Sequence, residues 1–377
     1  EEFCNRRDLD DRINVHELER LIADRGKVSA RKPVSERKEK IAVIGSGPAG
    51  LSAAYHLRRK GYQTVIFEAL PKPGGMLHAG IPEYRLPKKV LEEEIRHIQD
   101  LGVEIQCNAK IGSKEKFGEL LSKYDAVVLA IGLSSGQKLH LQGIESSHVM
   151  EGIEFLRRAN YGEKIELGNR VIVIGGGNTA IDASRTALRL GVFKVTIVYR
   201  RGRKQMPAIP EEVDAALEEG VELKFLNSPV EVLNHNGRRV LRVQKMQLGE
   251  ADAGGRRQPV AIAGAFDEIE FTTLIFATGQ IAELPFIDGF IDTRDGFIKT
   301  DEYGVTSNPK VFAIGDVATN AGTVTHAIGS GRIVALAIDG YLSGIVPLFP
   351  AKDPSKVTRQ MNLFYFAPSK RLEGKKQ

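Results

Sequence analysis

Two glycine turns about 130 positions apart constrain this chain more than any other feature. The first, Gly45-Ser46-Gly47-Pro48-Ala49-Gly50, follows the apolar run Ile41–Ile44. The second, Gly175-Gly176-Gly177-Asn178-Thr179-Ala180, follows Val171–Ile174. Each reads as a buried parallel strand, a tight turn and a helix start. The first glycine permits the bend, the second lets a pyrophosphate approach the backbone, and the third lets helix pack on strand. The helix N-terminus then offers N–H groups and a partial positive charge to phosphates. One such turn says little. Two of them, each strand-led and helix-followed, predict an α/β chain holding two dinucleotides, the layout of a flavin enzyme that takes hydride from a nicotinamide.

The residues that end the second strand of each unit predict different occupants. After the first turn, a helix from Leu51 to Lys60 leads through Gly61 to the strand Tyr62–Phe67, which finishes at Glu68. An acid about 20 residues past such a turn accepts hydrogen bonds from ribose hydroxyls and disfavours a 2′-phosphate. The competing reading of Glu68 is a solvated strand-end carboxylate. In the second unit, a helix Ala180–Leu190 and a strand Val195–Tyr199 lead to Arg200-Arg201, with Arg203 and Lys204 beyond. Guanidinium groups match the forked geometry of a phosphate; a solvated basic loop is the competing reading. The contrast predicts FAD at the first site and NADPH at the second.

Composition narrows the class. With 377 residues, 42% apolar and 27% charged, the chain reads as a soluble globular protein of more than one domain. Its apolar runs fall far short of the roughly 20 residues a membrane helix needs, so no membrane span is expected. The polar start Glu1-Glu2-Phe3-Cys4-Asn5-Arg6-Arg7 shows no signal peptide. A net charge of +5, spread along the chain, makes no nucleic-acid stripe. Two cysteines, Cys4 and Cys107, fit a reducing cytoplasm and exclude a disulfide scaffold. The absence of Met at the start and the abrupt entry into a helical pattern through Ile13, Val15, Leu18, Leu21 and Ile22 suggest a piece of a longer polypeptide.

Four separated motifs carry a family resemblance. Gly74-Gly75-Met76-Leu77-His78-Ala79-Gly80-Ile81-Pro82-Glu83-Tyr84-Arg85-Leu86-Pro87 resembles the flavin-side signature of the glutamate synthase small-subunit family. Its relatives are the flavin module of dihydropyrimidine dehydrogenase and the flavoprotein subunit of NADH-dependent ferredoxin:NADP oxidoreductase. Val198 to Ala208 is similar to that family's NADPH segment. Ala313-Ile314-Gly315-Asp316-Val317-Ala318 resembles its second flavin motif, in which the aspartate holds the ribityl chain. Thr323-Val324-Thr325-His326-Ala327-Ile328-Gly329-Ser330-Gly331-Arg332 resembles the helix start that faces the pyrimidine edge of the flavin. The similarity runs from about residue 4 to residue 345.

The resemblance implies two Rossmann-like domains, the NADPH domain inserted in the FAD domain, behind a short helical N-terminal segment. Residues 1–35 then correspond to a remnant of a helical iron–sulfur domain and a linker. Residues 36–150 and 284–345 form the FAD domain, 151–283 the NADPH domain, and 346–377 a C-terminal extension. The FAD contacts it implies are Gly45, Gly47, Pro48, Ala49, Gly50, Glu68, Gly75, Met76, Leu77, Ile81, Arg85, Ala130, Gly132, Gly315, Asp316, Thr323, Val324 and Ala327. The NADPH contacts are Gly175, Gly177, Asn178, Thr179, Arg200, Arg201, Thr278 and Gly279. In this family the segment similar to Cys4–Arg20 carries the last cysteine of two [4Fe–4S] clusters. A cluster needs about four thiolates, so Cys4 is either a ligand completed by upstream cysteines or a vestige. Cys107 reads as a small buried hydrophobe.

Function follows from the same comparison: an NADPH-dependent FAD oxidoreductase module. It would exchange hydride between NADP(H) and FAD and pass electrons to iron–sulfur centres of an attached domain or a partner subunit of a large redox complex. A non-catalytic nucleotide-binding scaffold is the alternative. A disulfide reductase of the thioredoxin reductase type is rejected, because no Cys-x-x-Cys pair exists. No acid–base residue is nominated, since the reactive chemistry belongs to the cofactors. For His326 and Glu83, a contact near the flavin and a structural role both stand.

Overall fold

A computed structural model describes Cys4, Arg6 and residues 13–26, 33, 35–137, 141–145, 148–252 and 255–345. The extension expected over 346–377 and most of the linker lie outside the described residues. Two compact units divide the chain. The smaller includes helix α1 (Val15–Arg25), capped by the Asn14 side chain, which accepts the Glu17 N–H at 3.3 Å. The predicted stripe Ile13, Val15, Leu18, Leu21 and Ile22 is exposed along it.

The larger unit begins with β1 (Lys40–Ile44), α2 (Pro48–Arg59), β2 (Gln63–Phe67), α3 (Met76–Ala79), α4 (Lys88–Asp100), β3 (Glu104–Gln106), α5 (Lys114–Lys123) and β4 (Ala126–Leu129). It continues through β5 (Ser135–Gly136), β6 (Val149–Glu151), α6 (Gly152–Asn160), β7 (Arg170–Ile174), α7 (Asn178–Arg189), β8 (Lys194–Tyr199), α8 (Pro210–Glu218) and β9 (Glu222–Phe225). Three long strands follow, β10 (Asn227–His235), β11 (Arg238–Ala251) and β12 (Arg257–Phe271), then β13 (Thr273–Phe276). The described residues close with β14 (Gln280–Ile281), β15 (Thr293–Arg294), β16 (Phe297–Ile298), β17 (Val311–Ala313), α9 (Asp316–Thr319) and α10 (Val324–Ser343).

Two five-stranded parallel sheets result, ordered β17-β4-β1-β2-β3 and β6-β13-β7-β8-β9. The continuous apolar runs at Ile41–Ile44 and Val171–Ile174 are buried, as strands covered on both faces require. Strand β17 joins the first sheet after the chain has completed the second, so one Rossmann-like unit is inserted in the other. The first sheet's core draws on both sides of that insertion: Ile44, Phe117 and Leu129 pack with Phe286, Ile298 and Val311. Strands β10, β11 and β12 form a separate antiparallel sheet. Their Leu241, Val243, Ile269 and Phe271 cover Ile172, Ile174, Val198 and Phe276 of the second parallel sheet.

Each parallel sheet reverses direction of winding beside its central strand, between β1 and β4 in one and between β7 and β13 in the other. Ligands of open α/β sheets bind at that reversal, outside the carboxyl ends of the strands. Both glycine turns open there.

Candidate functional site

The two crevices are built alike. Register sets Ile44 against Leu129 and Ile174 against Phe276, so Gly45 stands beside Ala130 and Gly175 beside Ala277. A Cβ on Gly45 would lie 2.5 Å from the Ala130 carbonyl oxygen, and one on Gly175 2.2 Å from that of Ala277. Both residues have positive φ, +100° and +151°. Only glycine satisfies both constraints.

Neither helix is capped by a side chain at its start, Gly47 for α2 and Gly177 for α7. No capping side chain therefore competes with a ligand for the N–H groups that open each helix. A Cβ on Gly47 would meet nothing within 4 Å, and one on Gly177 only Pro207, at 4.0 Å. Open space above an uncapped helix start fits a pyrophosphate in each crevice.

Glu68, at the end of β2, is buried. One carboxylate oxygen accepts from the Ser46 N–H at 2.8 Å and from the Ser46 hydroxyl; the other accepts from the Leu70 N–H at 2.8 Å. The carboxylate is thus aimed before any ligand arrives, and one lone-pair site on Oε1 remains to accept from a ribose hydroxyl. Ser46 also accepts from the Gly74 N–H, through its carbonyl at 3.1 Å and its hydroxyl at 3.0 Å. The Gly75–Ile81 loop hangs from the glycine turn in this way, and a Cβ on Gly75 would stand 2.8 Å from the Gly47 Cα. Met76, Leu77 and Ile81 are half-buried along that loop.

On the opposite rim, Gly132 follows β4 with open space where a Cβ would be. Gly315, at the start of α9, places its Cα against Ala49, and the Asp316 carboxylate accepts from the Gly322 N–H at 2.9 Å. Thr323 caps α10 by accepting the His326 N–H at 3.3 Å. Val324 is exposed in the first turn and Ala327 is buried in the next. Helix α10 lies directly on α2: a Cβ on Gly331 would be 2.6 Å from the Ala49 oxygen and 2.7 Å from the Ala53 nitrogen. Glu83 accepts from the Lys88 N–H at the start of α4, and His326 contacts Thr323.

In the second crevice, Asn178 Oδ1 accepts from the Ile209 N–H at 3.0 Å, and Gln280 donates to Thr179 Oγ1 at 3.3 Å. Thr278 and Gly279 are exposed beside them. The two arginines beyond β8 have different fates. Arg200 is exposed and pairs with no carboxylate among the described residues. Arg201 is buried, and its Nε donates to the Arg257 carbonyl at 3.1 Å on the antiparallel sheet. Arg203 pairs with Asp214. A further cation, unseen in the sequence, comes from the β11–β12 connection. Arg256 Nη2 donates to the Tyr199 hydroxyl at 3.2 Å and the Gln205 carbonyl at 3.0 Å. The Tyr199 ring itself packs against Gly176 of the glycine turn.

Arg85, expected at the flavin, pairs with carboxylates of the inserted unit. Its Nη1 lies 2.8 Å from both carboxylate oxygens of Asp182 on α7, and its Nε lies 3.3 Å from Glu212. Burial pushes the Asp182 carboxyl above the ordinary carboxylate range, against the pull of Arg85. Glu219 is held down at about 2 by hydrogen bonds from Arg189 and Arg185. Cys4 and Cys107 are half-buried, and among the described residues no group of three or more His, Cys, Asp or Glu forms a metal site. No helix among them is long and apolar enough to cross a membrane.

Residues 39–331 match the pyridine nucleotide-disulphide oxidoreductase family. The chain is 38% identical to the NADP(+)-dependent formate dehydrogenase subunit beta of Moorella thermoacetica, over 91% of its own length and 53% of that protein. It is 37% identical to a putative glutamate synthase [NADPH] small chain of Cereibacter sphaeroides, over 88% of its own length and 84% of that protein. The chain thus spans about half the length of some curated relatives. Among solved structures, Mycobacterium tuberculosis FprA in complex with NADPH shares the fold, with a TM-score of 0.70 and 20% identity over 82% of this chain and 85% of that one. Family match, relatives and crevices agree: the chain belongs to the pyridine nucleotide-disulphide oxidoreductases, enzymes that bind FAD and NAD(P)H, within the group that includes the glutamate synthase small chain.

Proposed function

We propose that this chain is an NADPH-dependent FAD oxidoreductase module that passes electrons on to iron–sulfur centres of an attached domain or partner subunit. The observation that carries the reading is the contrast between two otherwise matching crevices. One ends in a buried, pre-aimed carboxylate, Glu68; the other ends in an exposed guanidinium, Arg200, with Arg256 bonded to the neighbouring Tyr199 hydroxyl. A ribose with two free hydroxyls suits the first, and a 2′-phosphate suits the second. The names of relatives, an NADPH-Fe(3+) oxidoreductase subunit beta and glutamate synthase [NADPH] small chains, support the same assignment.

FAD supplies the redox chemistry when bound, accepting a hydride as a two-electron carrier. The chain's own residues bind and orient. Gly45, Gly47, Pro48, Ala49 and Gly50 receive the FAD pyrophosphate on α2, and Glu68 takes the adenosine ribose. Gly75, Met76, Leu77 and Ile81 with Ala130 and Gly132 wall the flavin pocket. Gly315 and Asp316 stand at the ribityl chain, and Thr323, Val324 and Ala327 present the start of α10. Gly175, Gly177, Asn178 and Thr179 receive the NADPH pyrophosphate, with Thr278 and Gly279 on the facing rim. Arg201 supports this site by anchoring the antiparallel sheet. In the whole protein, Cys4 would be a [4Fe–4S] ligand only together with upstream cysteines. The test is purification in the dark followed by flavin analysis: one FAD per chain, bleached anaerobically by NADPH, is expected. Protein that stays colourless with added FAD overturns the reading.

A further inference from the structure

The loop that walls the flavin side is held by residues of the inserted unit. Asn160, the last residue of α6, donates Nδ2 to the carbonyls of Ala79 at 2.9 Å and Ile81 at 3.2 Å. From its own side the loop is gathered by Lys88, whose Nζ donates to the carbonyls of Leu77 at 3.0 Å and Ile81 at 2.5 Å. Four residues past Ile81, Arg85 sets Nη1 between the two carboxylate oxygens of Asp182 and turns its Nε to Glu212. Asp182 is only 4% exposed and stands on α7, the helix whose start faces the second crevice. Tyr84 is clasped as well: the guanidinium of Arg185 lies 4.5 Å and that of Arg189 3.9 Å from its ring centre. Arg185 is in turn held by Glu212 and Glu219.

We propose that Arg85 and Asp182 are a positioning pair that fixes the NADPH-binding helix relative to the flavin loop. The inference rests on the functional reading above. A buried carboxylate is costly unless paired and hydrogen-bonded, so the pair has one satisfied geometry and resists sliding. The planar guanidinium also links two carboxylates, Nη1 to Asp182 and Nε to Glu212, which a point charge cannot do with the same directional definition. Hydride transfer is steeply sensitive to separation, and misplacement by about 1 Å costs on the order of 100-fold. Arg85 thus acts through Asp182 on the distance between the two nucleotides. It does not act on the affinity for either one.

Asp182→Asn tests this while Arg85 keeps Glu212 as a partner, and Arg85→Lys keeps the charge but loses the planar link between Asp182 and Glu212. In FAD-loaded Asp182→Asn at saturating NADPH, stopped-flow reduction of the flavin should slow by about 10- to 100-fold. Arg85→Lys should fall between it and wild type. FAD content and affinity for 2′,5′-ADP, which carries the 2′-phosphate but no nicotinamide, should stay within about twofold. In the apo-protein, amide hydrogen exchange over residues 76–86 should accelerate in Asp182→Asn while residues 40–67 are unchanged. Wild-type reduction rates and unaltered exchange in Asp182→Asn would overturn the positioning role alone. Loss of FAD or of 2′,5′-ADP binding would overturn it too, by making the pair part of a binding site. Wild-type protein that takes up FAD but is not reduced by NADPH would instead overturn the functional reading on which the pair's purpose depends.

Discussion

Arg201 donates its Nε to the main-chain carbonyl of Arg257, 3.1 Å away on the antiparallel sheet, while its neighbour Arg200 stands exposed at the end of β8. With Arg201 buried and committed to that carbonyl, the two guanidiniums cannot serve one phosphate equally. Arg200→Ala should therefore raise the KM for NADPH by about 10- to 100-fold, from roughly 1.5–3 kcal/mol per charge-assisted contact. NADH use and kcat should change little, because the phosphate is remote from the hydride. Arg201→Ala should lower thermal stability and leave the cofactor preference in place. Steady-state kinetics with both nucleotides, together with melting curves, separate the two outcomes.

Glu68 gives a second prediction. Its carboxylate satisfies the Ser46 N–H, the Ser46 hydroxyl and the Leu70 N–H. Glu68→Ala strands these donors, at a cost of about 1–3 kcal/mol for each that stays buried and unpaired. Purified variant should melt earlier and carry less flavin. Glu68→Gln retains one acceptor and should fall between; equal FAD occupancy in all three proteins would remove Glu68 from the site.

The contact between α10 and α2 is equally open to test. Gly331→Ala places a methyl 2.6 Å from the Ala49 oxygen and 2.7 Å from the Ala53 nitrogen, both backbone atoms. Overpacking of this kind costs typically about 1–3 kcal/mol. Because α2 begins at the glycine turn, FAD affinity should fall together with the melting temperature. A fully flavinated, equally stable Gly331→Ala protein would contradict the close packing.

Acid sensitivity should trace to Glu219. Arg189 and Arg185 hold its pKa at about 2, below the value of about 4.3 expected in the unfolded chain. A carboxylate depressed by folding stabilises the protein above the unfolded value, and that contribution disappears as pH falls towards the folded one. Glu219→Gln should thus cost roughly 1–2 kcal/mol at pH 7, allowing for solvent screening of a partly exposed pair. The difference from wild type should shrink between about pH 4.3 and pH 2. Parallel denaturation curves across that window provide the check.

What was legible in the sequence is what local chain geometry dictates. The glycine turns, the buried runs before them and Glu68 depend on residues within about 25 positions of one another. Their periodicity and spacing therefore carry the structure. The Arg85–Asp182 pair joins residues 97 positions apart, and nothing in the motif around Arg85 signals a partner on α7. Arg256 was invisible for a related reason: it reaches Tyr199 only because a hairpin folds back over the second sheet. That sheet did leave one signal. Asn236-Gly237, both at positive φ between two β-rich runs, is a two-residue hairpin turn. The unequal burial of Arg200 and Arg201 was not readable, because both lie in the bend after β8 and only the antiparallel sheet buries Arg201.

The central claim is that one crevice holds FAD and the other prefers the phosphorylated nicotinamide nucleotide. Anaerobic stopped-flow reduction of the bound flavin by NADPH and by NADH, compared in the same unmodified protein, tests it most directly. Bleaching by both is expected, with NADPH favoured by about 10- to 100-fold in the concentration required, as one or more charge-assisted phosphate contacts imply. Equal dependence on NADH and NADPH would contradict it.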